Sequence, residues 1–239
     1  MEILSKIRLS LCLPPLFIFF LLLINGLPKI NLLISYIALF SASIILLGFY
    51  LNPLLIQSKA RIENLVHLIS VEASVFYRID LELDNVSDSH RDQIIKLSKE
   101  YLNMKIHSKD SKKSDAAYLE IINYCRNLKH DETIYKILII LSDNNQTRAN
   151  IAFQLRNRVY SSEWLIMMML YLVAVGFMVS IKLPPHNLTM NCIVSLLATG
   201  VSFAMLFLWK LSNLTHKKAT GMWQPLVDLV NSNFIKMTF

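Results

Sequence analysis

The side chains with the means to do chemistry are thinly spread along this chain. Its six histidines, His67, His90, His107, His130, His186 and His216, stand singly, without the paired spacing that builds a metal site on a helix. Each reads as a surface or interface residue. Cys12, Cys125 and Cys192 lie far apart, so they indicate no metal pair, redox pair or disulfide framework. The densest ionisable group is Asp80, Glu82, Asp84, Asp88 and Asp92. Such a cluster attracts divalent cations, but it lacks the glycine and the terminal glutamate of a calcium loop and reads as a solvated face. Glycine is absent from Leu54 to Val175, which excludes a phosphate-cradling loop there. The expectation is therefore no catalytic residues, no metal and no cofactor: not an enzyme.

A different pattern stands out in an apolar stretch. Ser41, Ile45, Phe49 and Asn52 recur every three or four residues, giving one helical face that is polar, apolar, aromatic and polar. Copies of such a helix around an axis would stack Ile45 and Phe49 into apolar rings, a constriction that gates by dewetting. The same positions also fit plain packing against neighbouring spans, as Ser35, Ser41, Ser43 and Gly48 fit close helix approach. Arg148, Arg156 and Arg158, near the inner membrane face, would form a basic vestibule that concentrates anions. They serve equally as topology determinants.

The elements that must position these residues follow from charge distribution. At 54% hydrophobic and 17% charged, the chain is too apolar for an ordinary soluble domain. Charges are nearly absent from about Leu9 to Ile56 and from Trp164 to Trp209, and dense between. Asn31 to Ile56 has no charged residue and exceeds the roughly 20 residues that cross a bilayer as a helix. Beyond Lys59 and Arg61 the pattern becomes amphipathic, with Leu65, Ile69, Glu72, Phe76, Ile79 and Leu83 on one face. These halves predict one long helix from Ile30 to Leu83, kinked near Asn52 and Pro53, leaving the membrane for the cytoplasm. A first span, Leu11 to Asn25, precedes it after a basic start. No small-x-small cleavage pattern follows near Gly26, so a retained anchor is expected, and Gly26 to Lys29 makes the hairpin turn.

The block from 59 to 161 reads as helices throughout. One opens at Ser87 to Ser89 with Ile94, Leu97, Tyr101 and Met104 inward, and ends at the basic stretch His107 to Ser114. The next begins near Ser114 or Asp115 with Tyr118, Ile121, Ile122 and Cys125 inward. A further one begins near Asp131, with Ile134, Ile137, Leu138, Leu141, Arg148, Ala152, Leu155 and Val159 in register. Asn144 and Asn145 interrupt its stripe and should bond inside the bundle or face a wet cavity, since unpaired buried amides are costly. Ser161 to Glu163 caps the third span, Trp164 to Ile181, and Trp164 anchors it. After Pro184 and Pro185 the fourth span runs from about Asn191 to Trp209. In the tail, Trp223, Leu226, Leu229 and Val230 predict a short amphipathic helix.

The division is a first transmembrane hairpin (1–58), a cytoplasmic helical domain (59–161), a second hairpin (162–210) and a cytoplasmic tail (211–239). Lys6, Arg8, Lys59, Arg61, Arg156, Arg158, Lys210, Lys217 and Lys218 fall on one side of the spans, against Lys29 and Lys182 on the other. The positive-inside rule then puts both termini and the central block in the cytoplasm. The net charge of +7 belongs to these flanks, and no nucleic-acid motif accompanies it.

Several short motifs in this order resemble a widespread bacterial family of bestrophin-like four-span membrane proteins. They are Leu47-Gly48-Phe49, Glu72-Ala73 with Tyr77-Arg78, Tyr101-Leu102, Arg148 with Asn157-Arg158, and Trp164. The resemblance covers most of the chain and implies an all-α, multi-pass protein of the bacterial inner membrane, with two transmembrane hairpins flanking a cytoplasmic bundle. It further implies a homo-oligomer, a pentamer, that conducts small anions through a pore lined by the second helix. Gly48-Phe49 matches the end of that pore helix, with Ile45 a turn earlier, Asn52 just beyond, and Ser41 where a further apolar ring would stand. One departure follows the fourth span: Leu211-Ser212-Asn213-Leu214-Thr215 replaces the family's acidic residues, so the groups for cation-dependent gating are missing. The alternative expectation is a non-conducting scaffold or signalling protein whose cytoplasmic domain binds an unidentified cytoplasmic protein.

Overall fold

The computed structural model describes residues 9–26, 34–107, 111–156, 159–180, 188–212 and 220–231. Its regular structure is helical, with no strand among the described residues. The helices are α1 (Leu13–Gly26), α2 (Ile34–Leu83), α3 (Asp88–His107), α4 (Ser111–Asn127), α5 (Glu132–Arg156), α6 (Ser161–Ser180), α7 (Leu188–Ser212) and α8 (Gln224–Asn231). Single 3-10 turns at Leu9–Cys12 and Thr220–Trp223 lead into α1 and α8.

Local chemistry explains most boundaries. The predicted long helix is present: α2 runs for 50 residues with Pro53 inside it. Pro53 removes one amide donor, and the helix formers on both sides carry the chain through. The carbonyl of Ser87 accepts from the amides of His90 and Arg91 at 3.0 and 2.9 Å and starts α3. Asp131 caps α5, its Oδ1 accepting from the amides of Thr133 and Ile134. At α6 the cap position falls on Tyr160, whose amide donates to Glu163 Oε2 at 3.0 Å, one residue before the serines expected to serve. α4 opens at Ser111, earlier than Ser114, because Lys112 and Lys113 are good helix formers that need no loop. The hairpin turns around Lys29 and around Pro184 and Pro185 lie outside the described residues.

The chain divides into two compact units. One comprises Met1–Ala60 and Arg158–Asn213, the other Arg61–Asn157 and Leu214–Phe239. In the first, α2, α6 and α7 are long and apolar enough to cross a membrane, as a multi-pass membrane protein requires; α1 is a shorter apolar helix of 14 residues. Phe20 and Ile24 of α1 pack on Met178, Val179 and Ala198, while Leu51 and Leu54 of α2 pack on Met167, Met205 and Leu208. Ser195, Thr199 and Ser202 of α7 are buried, each returning its hydroxyl to a carbonyl one turn back at 2.7 to 2.8 Å. Small self-satisfied side chains of this kind let helices approach closely without leaving polar atoms bare. Ser202 also meets the Tyr171 hydroxyl at 2.7 Å, and Asn191 donates to Asn25 at 2.9 Å.

In the second unit the inward positions read from the sequence are where the helical period put them. Leu65, Ile69, Glu72, Phe76, Ile79 and Leu83 are all buried, as are Tyr118, Ile121, Ile122 and Cys125. Ala152 is exposed instead, and Val159 lies past the end of α5. The tail helix forms, and Trp223, Leu226 and Leu229 are buried in this unit's core, where α8 packs on α3. The last segment is thus part of the helical unit rather than a separate appendage, because its apolar face finds protein to cover it.

Candidate functional site

Ser41, Ile45, Phe49 and Asn52 share the exposed face of α2. The opposite face, Ser43, Leu47, Leu51, Leu54 and Ser58, is buried. This division is the helical period at work: the two sets lie about half a turn apart throughout. Phe49 is 73% and Ile45 57% exposed, so neither packs against another described helix of its own chain. Gly48 and the compact ring of Pro53 leave an open depression of about 300 Å³ between Ile45, Phe49 and Asn52. A methyl group added at Gly48 would meet nothing among the described residues.

The composition of this face sets it apart. The exposed mid-helix positions of the other spans are Leu165, Met168, Met169, Leu172 and Val173 on α6, and Ile193, Leu196 and Leu197 on α7. On α1 they are Ile18, Phe19 and Leu22. Apart from the bare backbone at Gly176 and Gly200, those surfaces are hydrocarbon and thioether, suited to lipid. Among the described spans, α2 is where exposed mid-helix positions add a hydroxyl, at Ser41, and an amide, at Asn52. Polar groups in a membrane require a polar neighbour, whether protein or water.

The second unit holds a polar cluster inside its apolar core. Glu72 of α2 is 0% exposed and accepts from Tyr101 and Lys105 of α3, the ammonium touching both carboxylate oxygens, Oε1 at 2.5 Å. Lys105 Nζ also donates to Tyr101 Oη at 2.9 Å. Tyr118 of α4 donates to the Leu141 carbonyl at 2.7 Å and accepts from Asn144 Nδ2 at 3.2 Å. Arg148 of α5 lies 3.7 Å above the Tyr118 ring and 5.4 Å from the Tyr101 ring, and pairs with Asp115 of α4. Two carboxylates balance two cations, so the cluster is neutral as a whole.

Burial dominates its electrostatics. Desolvation lowers the Lys105 ammonium below its usual range although Glu72 opposes it. Burial, then the charge of Glu72, raises the Tyr101 phenol well above its ordinary value, and burial pushes Tyr118 up to about 12. Most of these polar groups are satisfied by one another, while Asn144 Oδ1 and Arg148 Nε are buried without a hydrogen-bond partner among the described residues, and the contacts tie four helices in register. Among the described residues no three His, Cys, Asp or Glu side chains gather to hold a metal ion.

The structure therefore separates the residues singled out from the sequence. Ser41, Ile45, Phe49 and Asn52, expected from the sequence to line a pore, share one face. Arg148 is turned into the helical unit and neutralised by Asp115, whereas Arg156 is exposed in the last turn of α5; Arg158 lies outside the described residues. Asn144 bonds inside the bundle, while Asn145 is exposed and accepts from Arg148. Lys105 and Asp115 were not legible as partners. The signal that existed was Glu72, a carboxylate on an otherwise apolar stripe, which requires a cation from some other helix. No family model, curated protein or solved structure matches the chain.

Proposed function

We propose that this protein is a homo-oligomeric channel in which copies of α2 surround a common axis and small anions pass along it. The observation that supports the reading is the exposed face Ser41, Ile45, Phe49, Asn52, which mixes polar and apolar side chains along one side of α2. Mixed polar and apolar character is what a water-filled conduit with apolar constrictions calls for. Ile45 and Phe49 would be the narrow rings, and Asn52 the polar exit beyond them.

The finer architecture belongs to the same reading. The 14 residues of α1 span about 21 Å at about 1.5 Å each. The 3-10 turn before them adds about 8 Å. Together they approach the roughly 30 Å of a bilayer core, so α1 serves as a fourth span. The excess of Lys and Arg at one set of span ends puts both termini in the cytoplasm. The bestrophin-like motif order favours a ring of five in a bacterial inner membrane.

Purified protein reconstituted in planar bilayers tests this. The expected result is anion-selective current that rises when Phe49→Ala and Ile45→Ala widen the rings. Silence in wild type and both variants, with the oligomer intact, would overturn conduction and leave a scaffold.

A further inference from the structure

The end of α5 carries a surface that neither the channel reading nor the buried cluster uses. Between Asp143 and Glu163 the chain has no acidic residue and three arginines, Arg148, Arg156 and Arg158. Arg148 is taken up by Asp115 inside the unit. Over the last two turns of α5 the inward side is Ile151 and Leu155, and the outward side is Ala149, Asn150, Ala152, Phe153 and Arg156. Phe153 is 62% exposed, and Arg156 has no ion-pair partner among the described residues. An aromatic ring near a guanidinium, with two alanines and Asn150 on the same side, is a surface that no described residue of the chain covers.

Covalent reach says what lies near it. Arg156 is five residues before Ser161, where α6 begins. Five residues extend at most about 18 Å, so the last turn of α5 is tethered close to the start of a membrane-crossing helix. Tyr160, between the two, is 69% exposed, and Trp164 follows in the first turn. Aromatic rings with flanking arginines are the composition of the bilayer's headgroup zone.

We infer that the outward face of the last two turns of α5 rests on the membrane surface, Phe153 entering the headgroup boundary and Arg156 pairing with lipid phosphates. The occupant is the lipid surface, and anionic lipid strengthens the contact. This holds whether or not the protein conducts.

The test is site-directed fluorescence on the full-length protein in vesicles. Cys12 and Cys192 are replaced by Ser; Cys125 stays, because burial pushes its thiol up to about 12 and leaves it unreactive. An environment-sensitive dye is placed by Phe153→Cys, by Ala149→Cys on the same face, or by Ser142→Cys, exposed two to three turns earlier. The first two dyes should be blue-shifted and quenched by lipids carrying shallow spin labels, and the third should not. Replacing phosphatidylglycerol by phosphatidylcholine, or introducing Arg156→Gln, should lower the docked-to-undocked ratio about fivefold. Dyes at 149 and 153 that stay in water would overturn the inference. Dyes that are buried yet unquenched by lipid would also overturn it, by placing another protein surface there.

Discussion

Replacing Lys105 by methionine strips the ammonium from a carboxylate that has no access to water. Glu72 is 0% exposed, and after Lys105→Met the Tyr101 hydroxyl is what still binds it. Leaving a buried charge without its partner costs about 3–5 kcal/mol. The reverse change, Glu72→Met, is milder. The Lys105 side chain is 10% exposed and retains Tyr101 Oη at 2.9 Å, and its stem can lift the ammonium toward solvent, for a loss of about 2 kcal/mol. The double variant Glu72→Met/Lys105→Met removes both charges at similar volume and should lose no more than about 2 kcal/mol, against about 5–7 if the single effects added. Amide hydrogen exchange on the intact protein in micelles reads this locally. Amides of α3 around Ile94 to Met104 should exchange between a hundredfold and several thousandfold faster, as orders of magnitude, in Lys105→Met, and no more than about thirtyfold faster in the double variant. Single losses that sum to the double loss within about 0.5 kcal/mol would refute the reasoning, because the pair would then carry no coupling.

Other consequences follow from neighbouring contacts. Tyr118→Phe takes the hydroxyl from the Asn144 amide and removes the extra bond to the Leu141 carbonyl, which keeps its helical partner, so it should destabilise the helical unit by about 1–3 kcal/mol in chemical unfolding. Trp223→Ala empties a site that is 2% exposed and should cost about 3–5 kcal/mol, seen as faster exchange in both α8 and α3. Cys125 rises from its ordinary value of 9.0 to about 12 through burial, and Tyr118 from 10.0 to about 12. A group whose folded value is raised holds its proton longer in the fold. Its contribution is complete below the unfolded value and is lost as pH climbs toward the folded one. Stability should therefore fall above pH 9, at about 1.4 kcal/mol per pH unit for each group, and Cys125→Ala should remove the first part of that slope in a pH series of denaturant midpoints. Asp131→Ala should cost about 1 kcal/mol and fray the start of α5, measurable as exchange at Thr133 and Ile134.

Sequence alone determined most of the helices of this protein and, in the helical unit, most of the residues that turn inward. Charge-free runs marked the spans, and the three-to-four-residue rhythm of Leu65, Ile69, Glu72, Phe76, Ile79 and Leu83 marked the buried face, since both depend on the local helical repeat. It also separated Ser41, Ile45, Phe49 and Asn52 as one face of α2 for the same reason. Tertiary structure alone decided who meets whom. Nothing in the order of residues joins Glu72 to Lys105, 33 positions away, or gives Arg148 to Asp115 rather than to a vestibule beside Arg156. Nor could periodicity say that Trp223 and Leu226 close the core of the helical unit. A helical repeat fixes direction around one axis. The pairing of a buried charge is fixed by which axes come together, and that depends on the summed apolar burial of every helix in the unit.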